Sequence, residues 1–574
     1  MRSQSYVPTA FVVIWIIPLT AVAFLGEMMD PAQLPKWWLA VAAAGTGVAV
    51  VAATASGSGK LSVPSKWFSW AVFLFGLALV ISVSVAHEQV RAVMGGYSRW
   101  NGAGGYTAYL LLGVLAAMTV NTPGRRRRVG SAILLSATIV AGYALLQRVG
   151  LDPLPWNNIY APSSTSFLGN PNFAAAYIGI PAPLVVARFL PTFGRNRIWY
   201  GALFLLLVGG QLATGSLLGP FATGIGLAAM AVVMLASSDR PRLRRTGAIL
   251  AWVGPVAGLA ALYGFWSGIV VGPQTVTIRL YYWRAAIGMF SDHPLVGVGL
   301  GRFEDFFRRY RPAGGFAEFG NAALADNPHS VPLALASEGG LLLLIPWLVL
   351  LGVVVGLVVS WVRNARPREV SHPDRLAVAA WTGAFAAYVG QSLANFDVPS
   401  LAVLGYVLGG CVVALTGEMV EVSVPGTRPV RRGAAVLAGI VAFGAVAAAT
   451  VPVTADRAAG RGLRHEAAGD YAAAVQSFDT ASQRAWWEPD YGFAAGQVAY
   501  TKGDVPGAQQ RFEATAASFE QSLEPAWASA RIAVELGQWD RAADWYRRVL
   551  VLEPNDQELA AEARTIIESE SSTP

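Results

Sequence analysis

The chain has 574 residues, 54% hydrophobic and 13% charged, about half the charged share of an ordinary soluble domain, which excludes a water-soluble protein of usual composition. Its formal charge of +7 sits in arginine clusters between apolar stretches, so it reports membrane topology and not nucleic-acid binding. The single cysteine, Cys411, lies inside an apolar stretch and supports neither a disulfide framework nor a metal site.

In chain order, thirteen apolar stretches are long enough to cross a hydrocarbon core of ~30 Å. They lie near 8–27, 37–56, 67–86, 103–120, 129–149, 171–190, 197–214, 218–236, 246–272, 331–362, 376–394, 400–417 and 433–453. Residues 1–26 are read as the first span, because no small-residue cleavage site stands out and further spans follow. Every second loop is basic: Lys60 and Lys66, Arg125 to Arg128, Arg195 to Arg197, Arg240 to Arg245, Arg363 to Arg368, and Arg428 to Arg432. Cytoplasmic loops carry such an excess, so the N-terminus is expected inside and the C-terminus outside. The expected fold class is all-α: a polytopic helical membrane domain of about 12–13 spans over 1–454 and an extracytoplasmic helical domain over 455–574.

Two outside segments break the rhythm. The connection 273–328 is arginine-rich (Arg279, Arg284, Arg302, Arg308, Arg309, Arg311) and has no lysine, although outside loops are usually not basic. A guanidinium fork suits phosphate oxygens; the alternative is salt bridging to the loop's own Asp292, Glu304, Asp305, Glu318 and Asp326. Within it, Leu280, Trp283, Ala286, Ile287 and Phe290 predict an amphipathic helix. Gly297, Gly299 and Gly301 then permit tight turns or close backbone approach. GVGLG lacks the strand before and helix after that a dinucleotide fingerprint needs.

The tail from 455 repeats. Gly469, Gly503 and Gly537 are spaced by 34, as are Ala474, Ala508 and Ala542, and Phe478, Phe512 and Tyr546. That interval and pattern resemble tetratricopeptide repeats. Three stacked helix pairs would form a solenoid whose role is to bind a protein partner.

The stretch from Arg279 to Glu338, with HPLVGVGLGRF, NPHS and ASEGGLL, resembles the signature region of the O-antigen ligase and O-antigen polymerase superfamily. GGYSRWNGAGGYTAY (95–109), STSFLGNPNFAAAYI (164–178) and LATGS (212–216) echo it upstream. The resemblance implies metal-independent glycosyl transfer, without a cofactor, from an undecaprenyl-pyrophosphate-linked glycan to a glycan, lipid or protein acceptor at the outer face of the cytoplasmic membrane. By position, His329 matches the family's essential histidine and Arg279 an arginine that engages the pyrophosphate. The residue types suit those roles: a neutral imidazole takes a proton from an acceptor hydroxyl, and a guanidinium neutralises the departing pyrophosphate.

The sequence departs from the family where TGSRG becomes TGSLLG, so Leu217 replaces a second pyrophosphate arginine. Arg99, Arg284 or Arg302 is expected to substitute. Asn172 is a candidate contact to donor sugar or phosphate, or else caps the sixth span with Asn170 and Pro171. Glu338, an intramembrane carboxylate, is either functional or a partner for a loop arginine. His293 is expected to shape a turn, His87 to be solvated, and His372 and His465 to lie away from the site. Asn395 and Asp397 read as a helix-end turn. Two other functional classes stay open: an anion transporter of bicarbonate type, and a non-catalytic scaffold of envelope assembly.

Overall fold

The computed structural model describes residues 7–97, 99–154, 159–267, 274–312, 325–364 and 371–571. Part of the outer loop, Glu318 included, and part of the basic segment 363–368 lie outside the described residues.

Within the described residues all thirteen apolar stretches fall on helices. Nine are long and apolar enough to span among the described residues, Thr9–Val22 and Ala103–Thr119 are shorter apolar helices, and Pro241–Trp266 and His372–Ser392 are helical without meeting that threshold. The outward faces are apolar: Trp252 is 77% exposed and Phe443 76%. Large aromatic side chains on helix exteriors fit lipid and not water, and the chain is a multi-pass membrane protein. One core packs most of these helices together, with Tyr109, Phe173, Tyr177 and Leu401 buried within it. Among the described residues the strands are Lys60–Pro64 and Met419–Ser423, paired antiparallel with Lys60 opposite Ser423; Lys60 also reaches Glu421 at 2.6 Å.

One spanning helix is broken where the loop enters it. In Val331–Asn364, Gly340 has φ +60° and ψ −159°, which releases backbone groups that a hydrocarbon environment cannot satisfy. The loop's own backbone satisfies them. Val298 and Gly299 donate to the carbonyls of Ser337 and Glu338 at 2.9 Å each, and Leu341 and Leu342 donate to Pro294 and Leu295 at 2.8 and 3.0 Å. The approach is so close that a Cβ on Gly297 would lie 2.3 Å from the Glu338 carbonyl carbon, and one on Gly340 2.4 Å from that of Leu295. The GVG and EGG glycines are thus two halves of one backbone junction.

The last membrane helix, Arg428–Ala467, runs 40 residues, about 60 Å at 1.5 Å per residue and so twice the hydrocarbon thickness. It crosses the composition change at 454 and 455 unbroken, and its far end begins the solenoid. The pairs continue as Tyr471–Arg484, Pro489–Thr501 with Val505–Ser518, and Leu523–Glu535 with Trp539–Leu552, closed by Gln557–Ser571. Ala474, Ala508 and Ala542 are each fully buried, and Phe478, Phe512 and Tyr546 nearly so. Gly469, Gly503 and Gly537 take positive φ at the helix ends. All three repeat columns act as their 34-residue spacing suggests: alanine permits close helix approach, the aromatic fills the gap beyond it, and glycine turns the chain.

The solenoid is docked on the membrane domain. Met28, Trp37 and Trp100 share a core with Ala459, Phe478 and Tyr491. Asp456 accepts from the Asp30 backbone at 2.9 Å, from Tyr97 at 2.6 Å and from Tyr491 at 2.9 Å.

Candidate active site

The DNPHS turn is built before the chain enters the broken helix. Asn327 Oδ1 accepts from the His329 backbone N–H at 3.0 Å, and His329 takes φ +53°, a conformation that histidine adopts more readily than most side chains. The turn sets the imidazole between two rings. Tyr282 stacks on it at 5.5 Å and 22°, and Phe396 meets it edge-on at 5.0 Å and 73°. As a residue His329 is half-buried, yet its Nδ1 is fully enclosed and has no hydrogen-bond partner. Burial, with Arg279 and Arg99 adding and Asp326 opposing, pushes its pKa down to about 3. The ring is therefore neutral across physiological pH.

Two guanidinium groups bear on it. Arg279, half-buried on the helix Gln274–Asp292, has no carboxylate partner among the described residues, and burial pulls its pKa below the usual arginine range. Arg99 pairs with Asp326 and lies over the Phe396 ring at 4.5 Å, its Nε enclosed and unpartnered. Of the three arginines expected to replace the one missing at Leu217, Arg99 is the one whose charge reaches His329. Leu217 itself is 71% exposed.

The other candidates go elsewhere. Arg284 is exposed and lies over Trp266 and Tyr281 at 5.7 and 5.9 Å. Arg302 is buried beside Glu88 at 3.3 Å and Asp305 at 3.5 Å. Asn172 accepts from Ser216 Oγ at 2.7 Å through Oδ1, which ties the GNPN stretch to the TGS stretch, while Asn170 Oδ1 caps the following helix. Glu338 is buried and accepts from the Phe303 backbone N–H at 3.3 Å. It holds the start of the loop helix Phe303–Tyr310 and forms no ion pair with a loop arginine among the described residues.

The remaining loop arginines bind acids mostly outside the loop. Arg311 meets Glu553 at 2.7 Å, both 1% exposed at the side chain. Arg308 pairs with Glu524 and lies 3.6 Å from Glu553, and Arg309 donates to Gln521 at 3.1 Å. These clasp the loop helix to the solenoid. Arg91, which the sequence did not single out, makes a two-pronged contact with Asp305 at 2.9 and 3.0 Å.

Sequence reasoning also missed Tyr282 and Phe396. Tyr282 lay in the YYW run beside Arg279, and Phe396 in ANFDVPS, read only as a turn. The residues flanking Phe396 are buried: Asp397 accepts from Tyr388 at 3.0 and 3.1 Å, and Asn395 donates to Gln391 at 3.2 Å. An aromatic between two buried polar side chains at a span end was the available signal. Among the described residues no group of three or more His, Cys, Asp or Glu side chains is arranged to hold a metal ion.

Residues 202–348 match the family model described as O-antigen ligase. The chain carries a segment similar to the O-antigen ligase family. That segment contains Arg279, Arg284, Arg302, His329 and Glu338 and leaves Arg99 and Asn172 upstream. Among curated proteins nothing matches the chain. Matching solved structures include the first tetratricopeptide domain of Spaghetti (RPAP3) bound to an HSP90 peptide, 19% identical over 21% of this chain and 96% of that one, with a TM-score of 0.19. Another is the APC/C hetero-tetramer Cut9-Hcn1, 10% identical over 93% of this chain and 87% of that one, with a TM-score of 0.18. Such TM-scores describe no shared overall fold; the repeat character of the O-antigen ligase-like chain's tail rests on its own helix pairs and buried columns.

Proposed function

We propose that the protein is a surface-polysaccharide ligase or polymerase. It transfers a glycan from an undecaprenyl-pyrophosphate-linked donor to an acceptor hydroxyl at the outer face of the cytoplasmic membrane, with its N-terminus cytoplasmic and its repeats outside. One observation carries the reading: an enclosed neutral imidazole, with an unpartnered nitrogen, beside an arginine that no carboxylate neutralises among the described residues.

In this scheme the acceptor oxygen forms a bond to the anomeric carbon of the donor sugar while its proton passes to the His329 imidazole. The bond from that carbon to the pyrophosphate oxygen breaks, and the electron pair stays on the pyrophosphate. Arg279 receives that charge first, and Arg99 joins it as the pyrophosphate competes with Asp326. Donors already aimed at developing charge in a site shielded from water are often the largest single catalytic contribution, and here arginine supplies the positive charge without calling on a metal.

Glu338 and Asn172 serve as positioning residues, one fixing the loop helix and the other the TGS turn. Arg302 and Arg284 take no part in holding phosphate. The repeats hold the loop helix and offer their remaining surface to a protein partner or acceptor. What weighs against an anion path is the broken helix, whose freed backbone groups are taken by the chain itself. An unwound transporter helix instead keeps such groups for its ion.

The test is transfer in proteoliposomes with donor isolated from the native organism, wild type beside His329→Ala and Arg279→Ala. A product ladder or a single transfer that both substitutions abolish supports the reading. Undiminished transfer by folded His329→Ala removes the histidine from the chemistry.

A further inference from the structure

A cavity of about 360 Å³ has Arg99 in its wall, and the glycosyl-transfer scheme leaves it unused. We propose that it is the subsite for the pyrophosphate-linked sugar ring of the donor, an assignment that rests on the glycan-transfer reading for the donor's identity. Its volume falls within the ~300–1,000 Å³ usual for small-molecule sites.

Its position points to the reacting centre. Gln33, Tyr97, Arg99, Tyr160, Asn170 and Phe173 contribute to its walls. Phe173 meets Phe396 edge-on at 5.1 Å, and Phe396 in turn meets His329 at 5.0 Å. Arg99, which lies over that same Phe396 ring, also lines the cavity. A ligand that places an anionic group at Arg99 and extends away from it enters this space one aromatic ring from the imidazole.

The chemistry of the walls suits a neutral, hydroxyl-bearing ring. Tyr97, Tyr160 and Phe173 present aromatic faces of the kind that pack on the C–H face of a pyranose, and Asn170 and Gln33 add amides. The one carboxylate in the wall, Asp30, is already engaged: it accepts from the backbones of Gln33 at 2.9 Å and Leu34 at 3.1 Å and from Trp100 Nε1 at 2.7 Å. Arg99 is thus the other charged group in the wall, and it takes an anion by exchanging Asp326 for it.

Gln33 supplies an independent observation. It is 5% exposed, and its amide Nε2 donates to the Leu168 carbonyl at 2.7 Å, which fixes the amide's orientation. Its Oε1 then stands enclosed without a donor. That oxygen is closed to the cavity in this arrangement, so Gln33 meets a sugar hydroxyl only if its amide turns, and the Gln33→Leu variant below decides whether it does. On another wall Asn170 Nδ2 donates to Tyr160 Oη at 3.1 Å, so an amide and an aromatic ring are held as one edge.

The experiment uses the full chain in proteoliposomes. The probe is undecaprenyl-pyrophosphate glycan bearing a diazirine on its pyrophosphate-linked sugar, and an acceptor glycan bearing the same group is run in parallel. After irradiation the labelled peptides are mapped by mass spectrometry. The expected result is donor label on residues 159–173 or 29–33 and acceptor label elsewhere. Donor label elsewhere, or acceptor label alone in these segments, overturns the assignment.

Labelling does not require turnover. Donor label here with no product from wild type defeats the glycan-transfer reading and leaves the subsite standing. Where product forms, Tyr160→Ala and Gln33→Leu are expected to raise donor KM roughly tenfold, the worth of about one hydrogen bond or ring contact, with acceptor KM unchanged. Tyr160 is 41% exposed, so its truncation leaves the fold intact. Unchanged donor KM in both variants also overturns the assignment.

Discussion

The arginines at the two ends of the outer loop meet opposite surroundings. Arg308 and Arg311 end in carboxylates of the solenoid, and Arg302 ends between Glu88 and Asp305. Arg279 is half-buried with no carboxylate at all among the described residues. A guanidinium locked between acids that hold a helix in place has little to offer a phosphate, whereas one that has lost water without gaining a counter-charge gains most from an arriving anion, and Arg99 stands between the two, since it must exchange Asp326 for that anion. The loop's arginine content is thus two populations: a clasp that holds a helix in place, and a charge held ready beside His329.

The largest expected effect comes from the reactive end. His329→Ala is predicted to lower kcat by ~10²–10⁴-fold, the usual range for a positioned general base, measured as product formed per verified folded enzyme in proteoliposomes. Its pH signature sharpens the point. With its pKa pushed down to about 3, His329 stays neutral as pH falls, so kcat/KM should show no histidine limb between about pH 5 and 8, unlike a model imidazole near 6.5. A bound pyrophosphate raises that pKa, so the acid limb of kcat should lie at higher pH than that of kcat/KM. The stability sign is opposite to that of a salt-bridged histidine. The unfolded chain takes up this proton below about 6.5 and the folded one does not, so stability falls as pH drops from there toward 3. A histidine limb near 6.5 in kcat/KM would contradict the enclosed ring.

The paired end should fail in stability and not in chemistry. Arg311→Met leaves the enclosed Glu553 with the more distant Arg308, at 3.6 Å, as counter-charge, and removing one partner of a buried pair costs about 3–5 kcal/mol. The expected outcome is early protease cleavage in the solenoid and a lower unfolding midpoint, with residual transfer in proportion to folded protein. Arg311→Met with Glu553→Leu should recover part of that loss, since both charges leave together. If the single variant keeps full thermal stability and loses transfer outright, the division between clasp and site is wrong.

This division is only half legible in the sequence. Span positions follow from composition, because a helix that faces lipid must be apolar over its whole crossing, and the repeats follow from three columns in one register. His329 and Arg279 stand out only through a resemblance, and the fold sets them in electrostatic reach of each other. What stays hidden is pairing across long separations. Nothing local to Arg311 points to Glu553, 242 residues away, so a local reading confines the salt-bridge alternative to the loop's own acids. The glycines of GVGLG imply that backbone comes close to something, and only the break at Gly340 shows that the something is the helix carrying Glu338. Phe396 and Tyr282 escape notice because a ring that encloses a histidine has no pattern of its own in a chain so rich in aromatics.

Between the extremes stands Arg279→Lys, which keeps the charge and removes the fork. Lysine is a point charge and arginine a planar pair of donors, so transfer should fall by roughly tenfold, about 1.4 kcal/mol, with most of the change in donor KM. Arg279→Ala should lose considerably more. Equal losses in the two variants would mean that geometry alone matters, and no loss in the lysine variant that charge alone does.

The smallest effect belongs to Arg284, and it is the most direct check on reading function from surroundings. In sequence it stands five residues from Arg279 on the same helix, equally arginine and equally outside. In the fold it is exposed and lies over Trp266 and Tyr281, turned to the aromatic surface and not to the imidazole. Exposed cation–aromatic contacts are worth about 0.5–1 kcal/mol, so Arg284→Ala should shift thermal stability slightly and leave donor KM and kcat unchanged. A tenfold rise in donor KM would place Arg284 on the pyrophosphate and transfer to it the role proposed for Arg99. Arg99→Ala, measured beside it, must then be silent, because in sequence either arginine is a candidate to supply the charge that Leu217 lacks and in the fold only Arg99 stands beside His329.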